Sequence, residues 1–291
     1  MAVVNAATRD VAGLVSSSER CESFLVREYG ASMDERPLGG NVSGSVRLGD
    51  TVRRRWRGST PAVQALLAHL RLVGFEAAPE PLGIDDEGRA VLRFIPGDVH
   101  PGWPDPMPKW MYEDGAALIA AARLLKRYHD AASTFVPPSD ARWTFVAPGR
   151  HELICHNDWA PYNALFRGHQ PVVMLDWDSA GPGTRLWDVA LAAYQWVPLY
   201  PKHRGGNNPV LTIPQRAARL ATFCGAYGSI APVEAIDMLL EQLPVLADQI
   251  QRWGDSGDPG FAKLVGWNVP DRLREESILI RQQQSGLAKR G

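Results

Sequence analysis

Apolar and polar positions follow two different periods along this chain, and the change of period divides it. Residues 11–25 carry apolar side chains at helical spacing (Val11, Leu14, Val15, Phe24, Leu25). Two short strand-like runs follow at 40–48 and 51–56, and Gly49-Asp50 between them predicts a hairpin. A well-punctuated helix comes next. Thr60 reads as its N-cap and Pro61 as its first residue; Leu66, Leu67, Leu70 and Val73 form an apolar stripe, and Gly74 is the stop. Residues 82–84 and 90–95 read as a second strand pair about a turn at 85–88. This order predicts a small antiparallel sheet crossed by one helix.

Past residue 108 the helical period dominates. It runs through 110–132, with Leu118, Leu125 and Tyr128 near one face, and through 186–196, 214–227, 232–251 and 271–284. Two β-like runs, 163–166 and 172–175, flank a turn containing Gly168. Between the two regimes, residues 96–108 hold five prolines and two glycines, which sustain neither a helix nor a central strand. The expected organisation is an α+β, bilobed one: a lobe at 1–95, a linker at 96–108 and a mostly helical lobe at 109–291.

Composition narrows the function classes. With 45% apolar and 22% charged residues the chain is an ordinary globular one. A net charge of −1 supplies no overall argument for nucleic acid or anionic lipid as partner. No apolar run reaches the ~18 residues of a membrane span. Arg9 and Asp10 interrupt the N-terminus too early for a secretory leader, and Cys21, Cys155 and Cys224 are odd in number and widely spaced. Reduced thiols and a cytoplasmic setting are the expectation.

The candidate chemistry lies at 154–178, where His156-Asn157-Asp158 precedes Asn163 by a short loop and Asp176-Trp177-Asp178 follows an apolar run. Both β-like runs end at one mouth, so Asp158, Asn163 and Asp176 can converge there. Two oxygen ligands from different loops, with waters retained, suit Mg²⁺. A separate carboxylate, Asp158, is then free to align and deprotonate an attacking hydroxyl. Phosphoryl transfer asks for little beyond such alignment and charge stabilisation. Cys155 beside His156 suggests nucleophile chemistry at first sight, but a Cys–His pair is assembled in space, and a buried thiol is the simpler reading.

These segments resemble the catalytic and metal-binding elements of the aminoglycoside phosphotransferase family, whose fold is protein-kinase-like. Trp187-Asp188-Val189-Ala190, the Tyr128-His129 end of the first large-lobe helix and Pro96-Gly97 resemble further elements of that family. The resemblance covers most of residues 35–200. It implies that Asp158 is the catalytic base, that Asn163 and Asp176 bind Mg²⁺, and that His156 and Asp188 support the loop. It further implies a flap over the phosphates of ATP or GTP at Gly39, Gly40 and Ser43, with Phe94 and Ile95 approaching the base. The implied activity is transfer of phosphate to a hydroxyl of a small molecule: a cationic antibiotic first, an amino alcohol or sugar metabolite second. A catalytically silent nucleotide-binding module is the alternative.

One departure from the family shapes that alternative. The family holds the donor phosphates with a strand lysine paired to a helix glutamate, yet the first lysine here is Lys109 and the helix at 61–73 has no acid. Period-two alternation sets Arg54 with Val52 and Trp56 on one face, so Arg54 is the expected substitute. For the acceptor, residues 231–260 hold six acids against one base. Glu234, Asp237 and Glu241 fall within about 60° of each other on a helix. Together with Asp178 they are the candidate acceptor residues, and Pro244 is expected to break or kink that helix.

Overall fold

The computed structural model describes residues 35–38, 44–100, 107–113, 115–200 and 210–288. The helix expected at 11–25, Cys21 and the flap residues Gly39, Gly40 and Ser43 lie outside the described residues. The first lobe is a five-stranded antiparallel sheet in the order β1-β2-β3-β5-β4. Its strands are β1 (Arg36–Pro37), β2 (Val46–Leu48), β3 (Thr51–Arg54), β4 (Pro81–Ile84) and β5 (Ala90–Arg93). Gly49 takes φ 61° to close the β2–β3 hairpin, as its sequence predicts. Cross-strand register pairs Arg47 with Val52, Val52 with Leu92 and Arg54 with Ala90, so these residues share one face.

Helix α1 (Thr60–Leu72) crosses this sheet, burying Leu66, Leu67 and Leu70. Two details depart from expectation. Ser59 occupies the N-cap position, while the Thr60 hydroxyl turns back to accept from the Arg57 amide at 2.9 Å. Val73 is the C-cap and is 45% exposed, because the stripe leaves the core where Gly74 reverses the chain.

In the second lobe, β6 (Asp98–Val99) pairs with β8 (Ala164–Arg167), which pairs with β9 (Gln170–Met174). The proline-rich stretch therefore contributes an edge strand, the one sheet position proline tolerates nearby. The helix expected at 110–132 is described as α2 (Trp110–Glu113) and α3 (Gly115–Ala132), with Leu118, Leu125 and Tyr128 buried. Helix α4 (Arg185–Trp196) is apolar nearly all round, and nine of its residues, from Trp187 to Trp196 except Gln195, are buried. Helix α6 (Pro232–Asp255) packs along it, and α5 (Ile213–Tyr227), α7 (Pro259–Gly266) and α8 (Val269–Leu287) pack in turn on α6. Helix α6 runs unbroken through Pro244, so of the expected break or kink the break does not occur: its face of Ile236, Leu239, Leu240 and Leu243 is buried, and that packing outweighs the lost amide.

A two-stranded pair, β7 (Leu153–Cys155) with β10 (Gly181–Gly183), has no counterpart in the sequence pattern. Gly-Pro-Gly has no strand propensity of its own. It is glycine because the chain passes against its neighbours: a Cβ on Gly181 would meet the Phe145 carbonyl oxygen at 1.8 Å. This pair carries the loop that follows β7. Among the described residues, no helix is long and apolar enough to cross a membrane.

Candidate active site

The loop after β7 is held from below by a buried carboxylate. Asp188, in the first turn of α4, accepts from the amides of His156 (2.7 Å) and Asn157 (2.9 Å) and from His129 Nε2 (3.0 Å). Burial works against its charge, but the hydrogen bonds from the His129 ring and the His156 amide hold Asp188 below the usual carboxylate range. Asn157 takes φ 62°, a left-handed conformation uncommon outside glycine, secured by the Asp188 bond and by Asn157 Nδ2 donating to the Ser179 carbonyl at 3.0 Å. His156 is fully buried, which lowers its pKa and keeps the ring neutral. Its Nε2 lies 3.0 Å from the Leu175 carbonyl, and its Nδ1 accepts from the Asp158 amide at 3.3 Å. His156 thus ties the Asp158 turn to the end of β9.

Asp158 itself is partly buried. Its Oδ1 accepts from the Tyr162 hydroxyl at 3.0 Å and its Oδ2 from Asn163 Nδ2 at 2.8 Å. Loss of water, with the Asp176 carboxylate nearby, pushes its pKa up to about 7. A carboxylate so placed exchanges a proton near neutrality.

Asn163 and Asp176 are joined through the backbone, since the Leu175 amide donates to the Asn163 carbonyl at 2.8 Å. Asn163 spends its amide N–H groups on Asp158, on both Oδ2 and the main-chain oxygen, which leaves its side-chain oxygen as an acceptor. Asp176 takes φ 56° at the start of a 3₁₀ turn, Trp177–Ser179. A neutral amide oxygen and a carboxylate, set side by side, fit a hard divalent cation that keeps much of its water. Among the described residues no group of three or more His, Cys, Asp or Glu gathers to hold a metal by itself.

Arg54 reaches this mouth from the first lobe. One guanidinium nitrogen, Nη2, donates to Asp176 Oδ1 at 2.6 Å and to Asp178 Oδ2 at 2.8 Å. Burial opposes the charge, yet the two carboxylates hold the guanidinium firmly protonated, and Arg54 in turn holds Asp176 below its usual range. Arg53, on the other face of β3, pairs with Asp85 at 3.0 Å. The alternation expected from the sequence is therefore the one observed.

Other candidates stand elsewhere. The Phe94 ring is covered by the Arg47 guanidinium at 3.7 Å on the sheet face shared with Arg54, and Ile95 beside it is half-buried. Asp178 faces the arginines rather than an open acceptor surface. Glu234 accepts from the Ala231 amide and caps α6, Asp237 accepts from Gln284 on α8, and Glu241 lines a cavity of about 310 Å³ with Trp187 and Met238. Among the described residues, none of these three shares a hydrogen bond or ion pair with Asp158, Asn163 or Asp176. Sequence reasoning missed Arg47, Arg57, Tyr162 and Asp258. Tyr162 sits one turn from Asp158, a legible spacing; the others depend on partners far away in the chain.

A family model described as "Phosphotransferase enzyme family" matches residues 140–233, the segment that contains this loop. The trifolitoxin immunity protein of Rhizobium leguminosarum bv. trifolii is 31% identical over 258 residues, 85% of this chain and 95% of its own length. Among solved structures, a gentamicin complex of APH(2")-IIa superposes with a TM-score of 0.55 at 12% identity, covering 98% of this chain and 100% of that one. An ethanolamine kinase from Plasmodium vivax superposes at 0.53 with 10% identity, covering 94% and 99%. Likeness at such low identity is a likeness of fold.

Proposed function

The chain belongs to the phosphotransferase enzyme family and has its kinase-like, bilobed fold, and from that premise we propose an O-phosphotransferase that moves the γ-phosphoryl group of ATP or GTP onto a hydroxyl of a small molecule. The observation that carries this reading is Asp158, poised near neutrality between Tyr162 and Asn163 at the mouth that Arg54 and Asp176 complete. Asp158 takes the acceptor's hydroxyl proton as that oxygen bonds to the γ-phosphorus. The bond from phosphorus to the bridging oxygen breaks, and the nucleoside diphosphate leaves with those electrons. Arg54 presents charge to the donor phosphates from above. Asn163 and Asp176 are the residues to hold Mg²⁺, which when bound supplies positive charge against the phosphate oxygens.

For the acceptor we favour a hydroxyl-bearing antibiotic or toxin. Its support is the relative at 31% identity, whose name records immunity to trifolitoxin. The carboxylates of α6 lend this no geometric support, since Glu234 and Asp237 have structural partners. The test is a turnover assay with ATP and with GTP, Mg²⁺ and a panel holding gentamicin, trifolitoxin, ethanolamine and choline. Diphosphate release together with a gain of one phosphoryl group on a toxin or antibiotic is the expected result. Phosphorylation of ethanolamine or choline alone would shift the reading to a metabolite kinase. Nucleotide binding with no turnover on any acceptor would favour a silent module.

Arg54 provides a sharper check within the same assay. Arg54→Ala should raise the nucleotide KM by about 10-fold or more, as loss of a charge-assisted phosphate contact implies. Arg53→Ala, whose guanidinium is tied to Asp85 on the far face, should leave it within about 2-fold. Equal effects would make the arginines mere surface charge.

A further inference from the structure

Among the described residues Arg54 meets no acid of its own lobe: α1 carries none, and both carboxylates it meets come from the turn after β9. Its side chain is 12% exposed, and both contacts fall on the same nitrogen. Among the described residues its buried Nε has no hydrogen-bond partner. A buried guanidinium with donors left over is set for an incoming anion. The two carboxylates differ in what lies behind them. Asp176 is backed by Asn163, through the bond from the Leu175 amide. Asp178 is backed by a second arginine: Arg57 Nε lies 3.5 Å from Asp178 Oδ2, and Arg57 Nη1 donates to Asp258 Oδ2 at 3.0 Å. The other oxygen of Asp258 caps α7, accepting from the amides of Gly260 and Phe261 at 2.9 and 3.2 Å. An unbroken polar chain thus runs from the N-terminus of α7 through Asp258, Arg57 and Asp178 to Arg54.

We propose that Asp178 is a positioning residue which holds the Arg54 guanidinium on the donor phosphates from the opposite lobe, with Arg57 and Asp258 as its anchor. Whichever oxygens a metal takes from Asp176, Asp178 keeps Arg54 aimed. The grip on the nucleotide therefore tightens with approach of the two lobes and not with the placement of α1. This rests on the reading of the cleft as a nucleotide site.

The experiment measures ATP and GTP binding to the full chain, once with Mg²⁺ and once with EDTA, with melting temperatures recorded alongside. Asp178→Ala should raise the Kd about 10-fold in both conditions, Asp178→Glu should restore it to within about 3-fold, and in an Arg54→Gln background Asp178→Ala should add less than about 2-fold. Asp258→Ala, outside the cleft, should raise the Kd about 3-fold in both conditions and be silent in the Arg54→Gln background. It carries the test if Asp178→Ala melts early. An Asp178→Ala effect that vanishes in EDTA would make Asp178 a metal ligand and overturn the proposal, as would full additivity with Arg54→Gln or an unchanged Kd in Asp258→Ala. Failure of the wild type to bind either nucleotide would overturn the functional reading itself, and this inference with it.

Discussion

Asp158→Asn lowers kcat by at least about 10²-fold, the range expected for loss of a positioned general base. Nucleotide affinity stays within about 2-fold, because the donor is held by other residues. The melting temperature does not fall. Burial and the nearby Asp176 already work against the ionised carboxylate, which is why its pKa sits at about 7. A neutral amide removes that penalty while keeping an oxygen to accept from Asn163. An activity loss with stability retained or improved is the signature of a residue kept for chemistry. Steady-state kinetics and a thermal melt on the same preparation check it. Near-normal turnover would remove Asp158 from the mechanism; a marked drop in melting temperature would make it structural.

Asp188→Ala does the reverse, losing the fold first and activity as a consequence. The carboxylate is 1% exposed and satisfies the amides of His156 and Asn157 and the ring of His129. Removing it strands three buried donors and frees the left-handed turn at Asn157, at a cost of about 3–5 kcal/mol. The pH dependence follows from its depressed pKa. An acid whose folded pKa lies below its unfolded value adds stability that is fully present above about pH 4 and drains away as pH falls through the folded value. The gap between wild type and Asp188→Ala should therefore be widest near neutrality and narrow on acidification below about pH 4. Denaturant titrations at several pH values measure it. A loss below about 1 kcal/mol at neutral pH would show that the loop holds itself.

Helix α7 shows how a readable signal is misplaced. No helix is expected between 251 and 271 from the spacing of apolar residues, yet Asp258 is an N-cap and Pro259 opens one. The capping pattern was present in the sequence; a short helix with few periodic positions did not announce itself beside it. Pro244 errs in the other direction, because a strong local rule gave way to the burial of a long apolar face.

What the sequence determined by itself is what repeats over a few residues. The hairpin at Gly49-Asp50, the stripe of α1, the longer helices and the face that carries Arg54 follow from spacing of 2 or 3.6 residues and from turn chemistry, and the motif spacing over 156–178 marks Asp158, Asn163 and Asp176. What only the tertiary structure decided is who meets whom. Arg54 finds Asp176 and Asp178 across 122 and 124 positions, and Arg57 finds Asp258 across 201. Gly181-Pro182-Gly183 becomes a strand because Leu153–Cys155 offers it a ladder, and the acids of α6 become caps and side-chain partners because their neighbours are near. A charge in sequence carries no address. Its partner is set by how lobes and helices pack, and that packing is a sum of burial over the whole chain, which no local window contains.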